Sequence, residues 1–128
     1  MYLVHESGDD TRVLATNVDV AEGVLAQGRG LMFRRSIPAD YALAFPFDGP
    51  ATRSLHMLFV PFPIDAVWVV DDEVVKTKRL AAWTGLGWGT ADTVYELPAG
   101  AADAVEVGDT VTVTVDGQCC ESMNDDGS

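Results

Sequence analysis

The stretch LHMLFVPFPIDAVWVV, residues 55–70, is the most apolar part of the chain, and only His56 and Asp65 in it can carry charge. An imidazole and a carboxylate are natural partners in acid/base chemistry, and together they can also contribute to a metal site. They stand nine residues apart across Pro61 and Pro63, a spacing that neither requires nor forbids contact. If residues 54–60 are extended, His56 shares a face with Ser54, Leu58 and Val60, and a half-buried, hydrogen-bonded imidazole is expected. Asp65 follows Pro63-Ile64 at the start of the next strand. Its carboxylate is there to accept backbone N–H groups freed by the proline break, because an unpartnered buried carboxylate costs several kcal/mol or takes up a proton. The functional alternative is a site acid at Asp65 acting beside His56 or an arginine.

Other signals are weaker. Ser7, Ser36 and Ser54 lack the flanking glycines of a nucleophile elbow. The glycines of GLGWG, near Thr84 and Thr90, lack the lysine and the strand-to-helix setting of a phosphate loop. Trp83 and Trp88 in that glycine-rich stretch either fold over the domain as a lid or face a ligand, where an indole stacks on a ring or a partner surface. Cys119 and Cys120 are adjacent, which strains a mutual disulfide, and two cysteines do not make a zinc site. No metal and no cofactor is expected.

These residues need a scaffold, and the pattern predicts one that is mostly β. Strands are expected in TRVLATNV, ALAFPF, residues 54–60, residues 65–70, EVVKTKRL, TVYELPAG and VGDTVTVTV, with DDE as a hairpin turn between the fourth and fifth. FDGPATR reads as a turn and AAWTGLGWGTAD as a surface loop. DVAEGVLAQGRG reads as a short helix capped by Asp19 and ended by Gly28 and Gly30, and AADAVE as one or two helical turns at most. About seven short strands with turn signals every 8 to 12 residues give a mainly β (α+β) domain, barrel- or sandwich-like, with one or two short helices. One domain over residues 1–116 and a flexible acidic tail over 117–128 are expected.

The chain carries 20 acids against 8 bases, a formal net charge of -12. Lysine is limited to Lys76 and Lys78. Dense surface carboxylate is the composition of cytoplasmic proteins from salt-loving organisms, where concentrated salt screens self-repulsion. It disfavours nucleic acid as a partner, because no basic stripe is available to displace phosphate counterions. No apolar run reaches the ~20 residues that span a bilayer. A soluble cytoplasmic protein without membrane association is the expectation.

Five stretches in register, GLMFR (30–34), LAFPF (43–47), HMLFVPFPIDAVWVVDD (56–72), YELPAG (95–100) and VGDTVTV (107–113), resemble the DUF192 family of small prokaryotic domains of unassigned function. The resemblance implies a compact, mostly β fold with a short helix near its start. It places Arg34, Asp65, Glu96, Gly100, Gly108 and Asp109 where the family pattern has the same residue types. It also shows departures. Leu58-Phe59-Val60 stand where one branch has Lys-Asn-Thr, the DDE turn lacks the usual glycine, and the leader carried by many relatives is not expected here. The family supplies no reaction. The favoured function is a non-catalytic domain binding a small molecule or a protein through the Trp83 and Trp88 region and the surface around Arg34 and Asp65. The alternative is an acid/base or metal-assisted enzyme using Asp65 and His56.

Overall fold

The computed structural model describes residues 1–21, 31–32 and 34–115. They form eight strands: β1 Tyr2–Ser7, β2 Asp10–Ala15, β3 Asn17–Val20, β4 Tyr41–His56, β5 Ile64–Val70, β6 Glu73–Leu80, β7 Leu86–Pro98 and β8 Thr110–Thr114. All belong to one sheet in the order β2-β1-β8-β6-β5-β7-β4-β3. Neighbours are antiparallel except β3 and β4. The outermost strands, β2 and β3, are separated in sequence by Thr16 alone, so the sheet must curl to bring its two edges near each other. The backbone N–H groups of Thr16 and Asn17 both donate to the Asp40 carbonyl at 3.0 Å, which pins that crossing. The edges are not hydrogen-bonded to each other, so the sheet is open where a closed barrel was one expectation.

The central strand β5, IDAVWVV, is buried on both faces, which is why it reads as an unbroken apolar run rather than an alternation. Val67 and Val69 join Leu3, Val74, Tyr95, Leu97 and Val111 in one core. Ala66 and Trp68 join Leu43, Phe45, Met57, Leu80 and Val94 in a second core on the opposite face. The far half of β7 folds over this second core. A Cβ on Gly87 would lie 3.0 Å from the Trp68 ring and one on Gly89 3.1 Å, so the absence of side chains lets the backbone settle on the indole. The indole N–H is satisfied by the Arg53 carbonyl at 2.9 Å.

Several expected elements differ. FDGPATR does not turn the chain. β4 runs straight through it, absorbing the extra residues as an irregularity between Pro46 and Ala51 in its pairing with β7. Residues 57–60 are a turn, closed by Val60 N–H to the Met57 carbonyl with Phe59 at φ 62, so the strand expected over 54–60 ends at His56. Leu86–Asp92, expected in a loop, are strand. Asp19, expected to cap a helix, lies in β3, and the rest of that helix, from residue 22 to residue 30, lies outside the described residues. Residues 101–104 form successive turns, and no helix occurs among the described residues. The DDE hairpin is where it was expected: Asp71 (φ 51) and Asp72 (φ 69) make the two-residue turn between β5 and β6 with both central residues left-handed.

Candidate functional site

Asp65 lies in β5 directly opposite Arg79 of β6 and Leu97 of β7, so its side chain points into the first core and is only 5% exposed. Cross-strand placement brings the guidanidinium within reach: Arg79 Nε donates to Oδ1 at 2.8 Å and Nη2 approaches Oδ2 at 3.4 Å. Oδ2 also accepts the backbone N–H groups of Gly100 at 2.9 Å and Ala102 at 3.0 Å. Gly100, at φ 96, supplies the left-handed backbone that turns these amides inward. Arg79 continues to Asp103 on the same turn. The hydrogen bond to Asp65 is the main reason the Arg79 guanidinium is held even more firmly protonated than usual. Asp65 is therefore a fastening between β5, β6 and the turn that follows β7. The amides it satisfies are 35 and 37 residues downstream, not those beside Pro63 as expected. An open cleft of about 240 Å³ lies above it, lined by Thr77, Lys78, Arg79, Asp103 and Val105.

The other candidates do not converge on Asp65. His56 closes β4 opposite Leu86, eleven positions along β7 from the Leu97 that faces Asp65. It is exposed rather than half-buried, and its Nδ1 accepts the Leu58 N–H at 3.3 Å. Ending the strand at His56 leaves its side chain at the rim of the sheet. Glu96 faces the second core, because it opposes Leu43 and Ala66 while its neighbours Tyr95 and Leu97 face the first. The sheet itself thus separates Glu96 from Asp65. Glu96 is 6% exposed, and burial pushes its carboxyl up to about 7. Arg34 lies on the Glu96 side, its guanidinium carbon 5.2 Å from the centroid of the Tyr41 ring. Tyr41 donates its hydroxyl to Asp19 at 2.9 Å, and burial, then that bond, raises the phenol above its ordinary value.

Trp83 and Trp88 are both 56% exposed, so neither serves as a core residue or a closed lid. Trp83 sits at φ 67 in the turn before β7, and its N–H donates to the Val60 carbonyl at 2.9 Å. The Met57 N–H donates to Gly85 in the same place, which binds the 57–60 turn to the tryptophan turn. Trp88 lies on β7 opposite Ser54, with the Lys76 ammonium 5.4 Å from its ring centroid. Leu58, Phe59, Trp83, Leu86 and Trp88 consequently gather at one end of the sheet, each between 43% and 56% exposed.

One polar pair was not anticipated as a pair. His5 of β1 is buried at 2% exposure, with Nε2 2.7 Å from Asp109 Oδ2. The same oxygen accepts the Glu106 N–H at 2.9 Å, and these two bonds, the one to His5 first, hold the Asp109 carboxyl below its ordinary value. The His5 Nδ1 has no hydrogen-bond partner among the described residues. The sequence signal is slight: a histidine within the alternating strand YLVHES, 104 residues from its acid. Among the described residues no cluster of three or more His, Cys, Asp or Glu is placed to hold a metal ion, and no helix is long and apolar enough to cross a membrane. Cys119 and Cys120 and the expected tail lie outside the described residues.

The DUF192 pattern, described as Uncharacterized ACR, matches residues 4–113. The chain belongs to the DUF192 family. A UPF0127 protein of Thermococcus sibiricus is 31% identical over 106 residues, covering 78% of this chain and 68% of that protein. The crystal structure of a protein of unknown function from Novosphingobium aromaticivorans superposes with a TM-score of 0.77 at 21% identity, covering 88% of this chain and 84% of the other. A second solved protein, from Sinorhizobium meliloti, gives 0.76 at 21% identity over 87% and 91%. At that identity the two structures share the fold of this DUF192 domain and say nothing of its chemistry. The match spans β5 and β7, which carry Asp65 and Glu96, and the turn before β8, which carries Asp109. The function of the family is unknown.

Proposed function

We infer that this DUF192 domain is a non-catalytic binding domain that docks a protein partner through the apolar end formed by Leu58, Phe59, Trp83, Leu86 and Trp88. The observation that carries the reading is the exposure of five large apolar side chains together on a chain that is otherwise densely charged. None of the 20 acids falls within residues 49–64 or 74–91, the segments that build this end, whereas Arg53, Lys76, Lys78 and Arg79 do. Tryptophan at the centre of such a patch is the residue type that most often anchors a protein interface. The cleft above Asp65 is a poorer candidate, since it is smaller than the roughly 300 Å³ at which ligand pockets begin and its carboxylate is already bound by Arg79 and two amides. An acid/base or metal-assisted enzyme on Asp65 and His56 has no shared cleft to work in. The composition supports a salt-adapted, cytoplasmic protein and speaks against nucleic acid as the partner.

The apolar end is tested with the dye 1-anilinonaphthalene-8-sulfonate, an apolar anion suited to an acid-free patch. The folded chain should enhance its fluorescence, and Trp83→Ser and Trp88→Ser should each remove most of the enhancement without changing the far-ultraviolet circular dichroism. A native chain that leaves the dye dark, or variants that bind it equally well, would overturn the docking reading.

A further inference from the structure

We propose that Lys76 and Lys78 form a two-rung latch, and that the second core opens along it while the rest of the sheet stays intact. β7 changes neighbours along its length. From Thr93 to Glu96 it is laddered to β4 on one side and to β5 on the other, but from Leu86 to Ala91 it is laddered to β4 alone. The ribbon made of Ala51–His56 and Leu86–Ala91 folds over Trp68, and the free edge of β7 comes alongside β6. Among the described residues no ladder joins these two strands. Lys78 Nζ instead donates to the Leu86 carbonyl at 2.7 Å, and Lys76 Nζ donates to the Trp88 carbonyl. Numbers fall along β6 as they rise along β7, so the strands run antiparallel and two ammoniums take the place of main-chain rungs.

The packing under the seam matches this arrangement. The Lys78 and Lys76 stems reach the bare faces of Gly87 and Gly89, 3.5 and 3.2 Å from where a Cβ would stand, so each lysine covers apolar surface with its stem and closes the seam with its head. The Lys76 ammonium also lies 5.4 Å from the ring centroids of both Trp68 and Trp88, one beneath the ribbon and one on it. A third bond, from the Trp68 indole N–H to the Arg53 carbonyl, completes the attachment. Among the described residues, then, every hydrogen bond from β5 or β6 to this ribbon runs from a side chain to a main-chain carbonyl. The ribbon also has a place to pivot, because the β4–β7 ladder is interrupted between Pro46 and Ala51. The turns at its other end are bonded to each other, Met57 to Gly85 and Trp83 to Val60, and move with it. A few isolated bonds along one edge and a broken ladder at the root mark a unit that opens well before the whole molecule unfolds.

Deuterium exchange of the Trp68 indole proton, followed by nuclear magnetic resonance on the full 128-residue chain, tests the latch. The side chain is 0% exposed, so this proton exchanges only when the ribbon lifts or the chain unfolds. Its protection should be at least about tenfold weaker than that of the Val67 and Val94 amides, whose strands are laddered on both sides, and should not respond to low urea where theirs falls. Lys76→Met with Lys78→Met keeps the stems and removes the ammoniums. It should speed indole exchange a further tenfold or so beyond any change at Val67 and Val94, with Lys78→Met alone giving part of the effect. Lys76→Arg with Lys78→Arg, which keeps a donor at each rung, should restore slow exchange. An indole proton that exchanges in step with the two amides in the parent chain overturns the opening, whether or not the double variant folds. Substitutions that speed all three protons alike, or none of them, overturn the latch.

Discussion

At the scale of residues, Asp65, Glu96 and His5, the three buried polar side chains among the described residues, meet burial in different ways. Asp65 is bound from both sides by a guanidinium and two amides. Replacing it with alanine orphans the Gly100 and Ala102 amides, while the half-exposed Arg79 keeps Asp103, and Asp65→Ala should lose about 2–3 kcal/mol in urea unfolding. An unchanged midpoint would show that the amides find water instead. Glu96 has no hydrogen bond to any described residue, and the cost of burial appears as its shift up to about 7. The native state therefore keeps a proton that the unfolded chain releases in the ordinary carboxylate range. Stability from this group is fully present at low pH and is lost as pH rises from about 4.5 through 7, roughly 3 kcal/mol in all. Glu96→Gln should flatten that loss, leaving the variant more stable than the parent at pH 8 and similar at pH 5; equal slopes for the two proteins in paired urea titrations would sink the assignment. Among the described residues His5 takes one side-chain bond, to Asp109, and leaves Nδ1 unmatched. Residue types near one another in sequence did not foretell these partners, since every one is supplied by a distant strand or turn.

At the scale of elements, local chemistry decided the hairpins and long-range packing decided the lengths. The Asp71-Asp72 turn is legible because two polar residues between β-branched runs suit a left-handed two-residue loop. Aspartate tolerates that backbone less well than glycine does. Asp72→Gly should accordingly stabilise the chain by about 0.5–1 kcal/mol, measured as a rise in the urea midpoint without a change in slope; a fall would mean that the Asp72 side chain has a compensating role. The loop expected over AAWTGLGWGTAD failed for an opposite reason. Gly87 and Gly89 are not there to bend the chain but to let a strand lie on Trp68, a tertiary demand invisible to turn statistics. Pro46 and Pro50 likewise do not end β4, because they fall where its ladder with β7 is already interrupted.

At the scale of the whole molecule, a net charge of -12 on 128 residues makes self-repulsion a folding term. The melting temperature should rise steadily from low to molar sodium chloride, and a flat profile in differential scanning calorimetry would remove the salt-adapted reading. By itself the sequence determined what depends on neighbours a few residues apart: the β class, the DDE hairpin, and family membership through five stretches in register. It also marked Asp65 as a carboxylate that must be bound. The tertiary structure alone decided which groups meet. It set Asp65 and Glu96 on opposite faces of one sheet, sent His56 to its rim, joined His5 to Asp109, and collected apolar residues of two turns and a strand into one exposed end. The period of a strand fixes only that alternate residues share a face. Which face each strand turns to the core, and what lies across it, follow from strand order and register, which are set by the burial of the whole sheet.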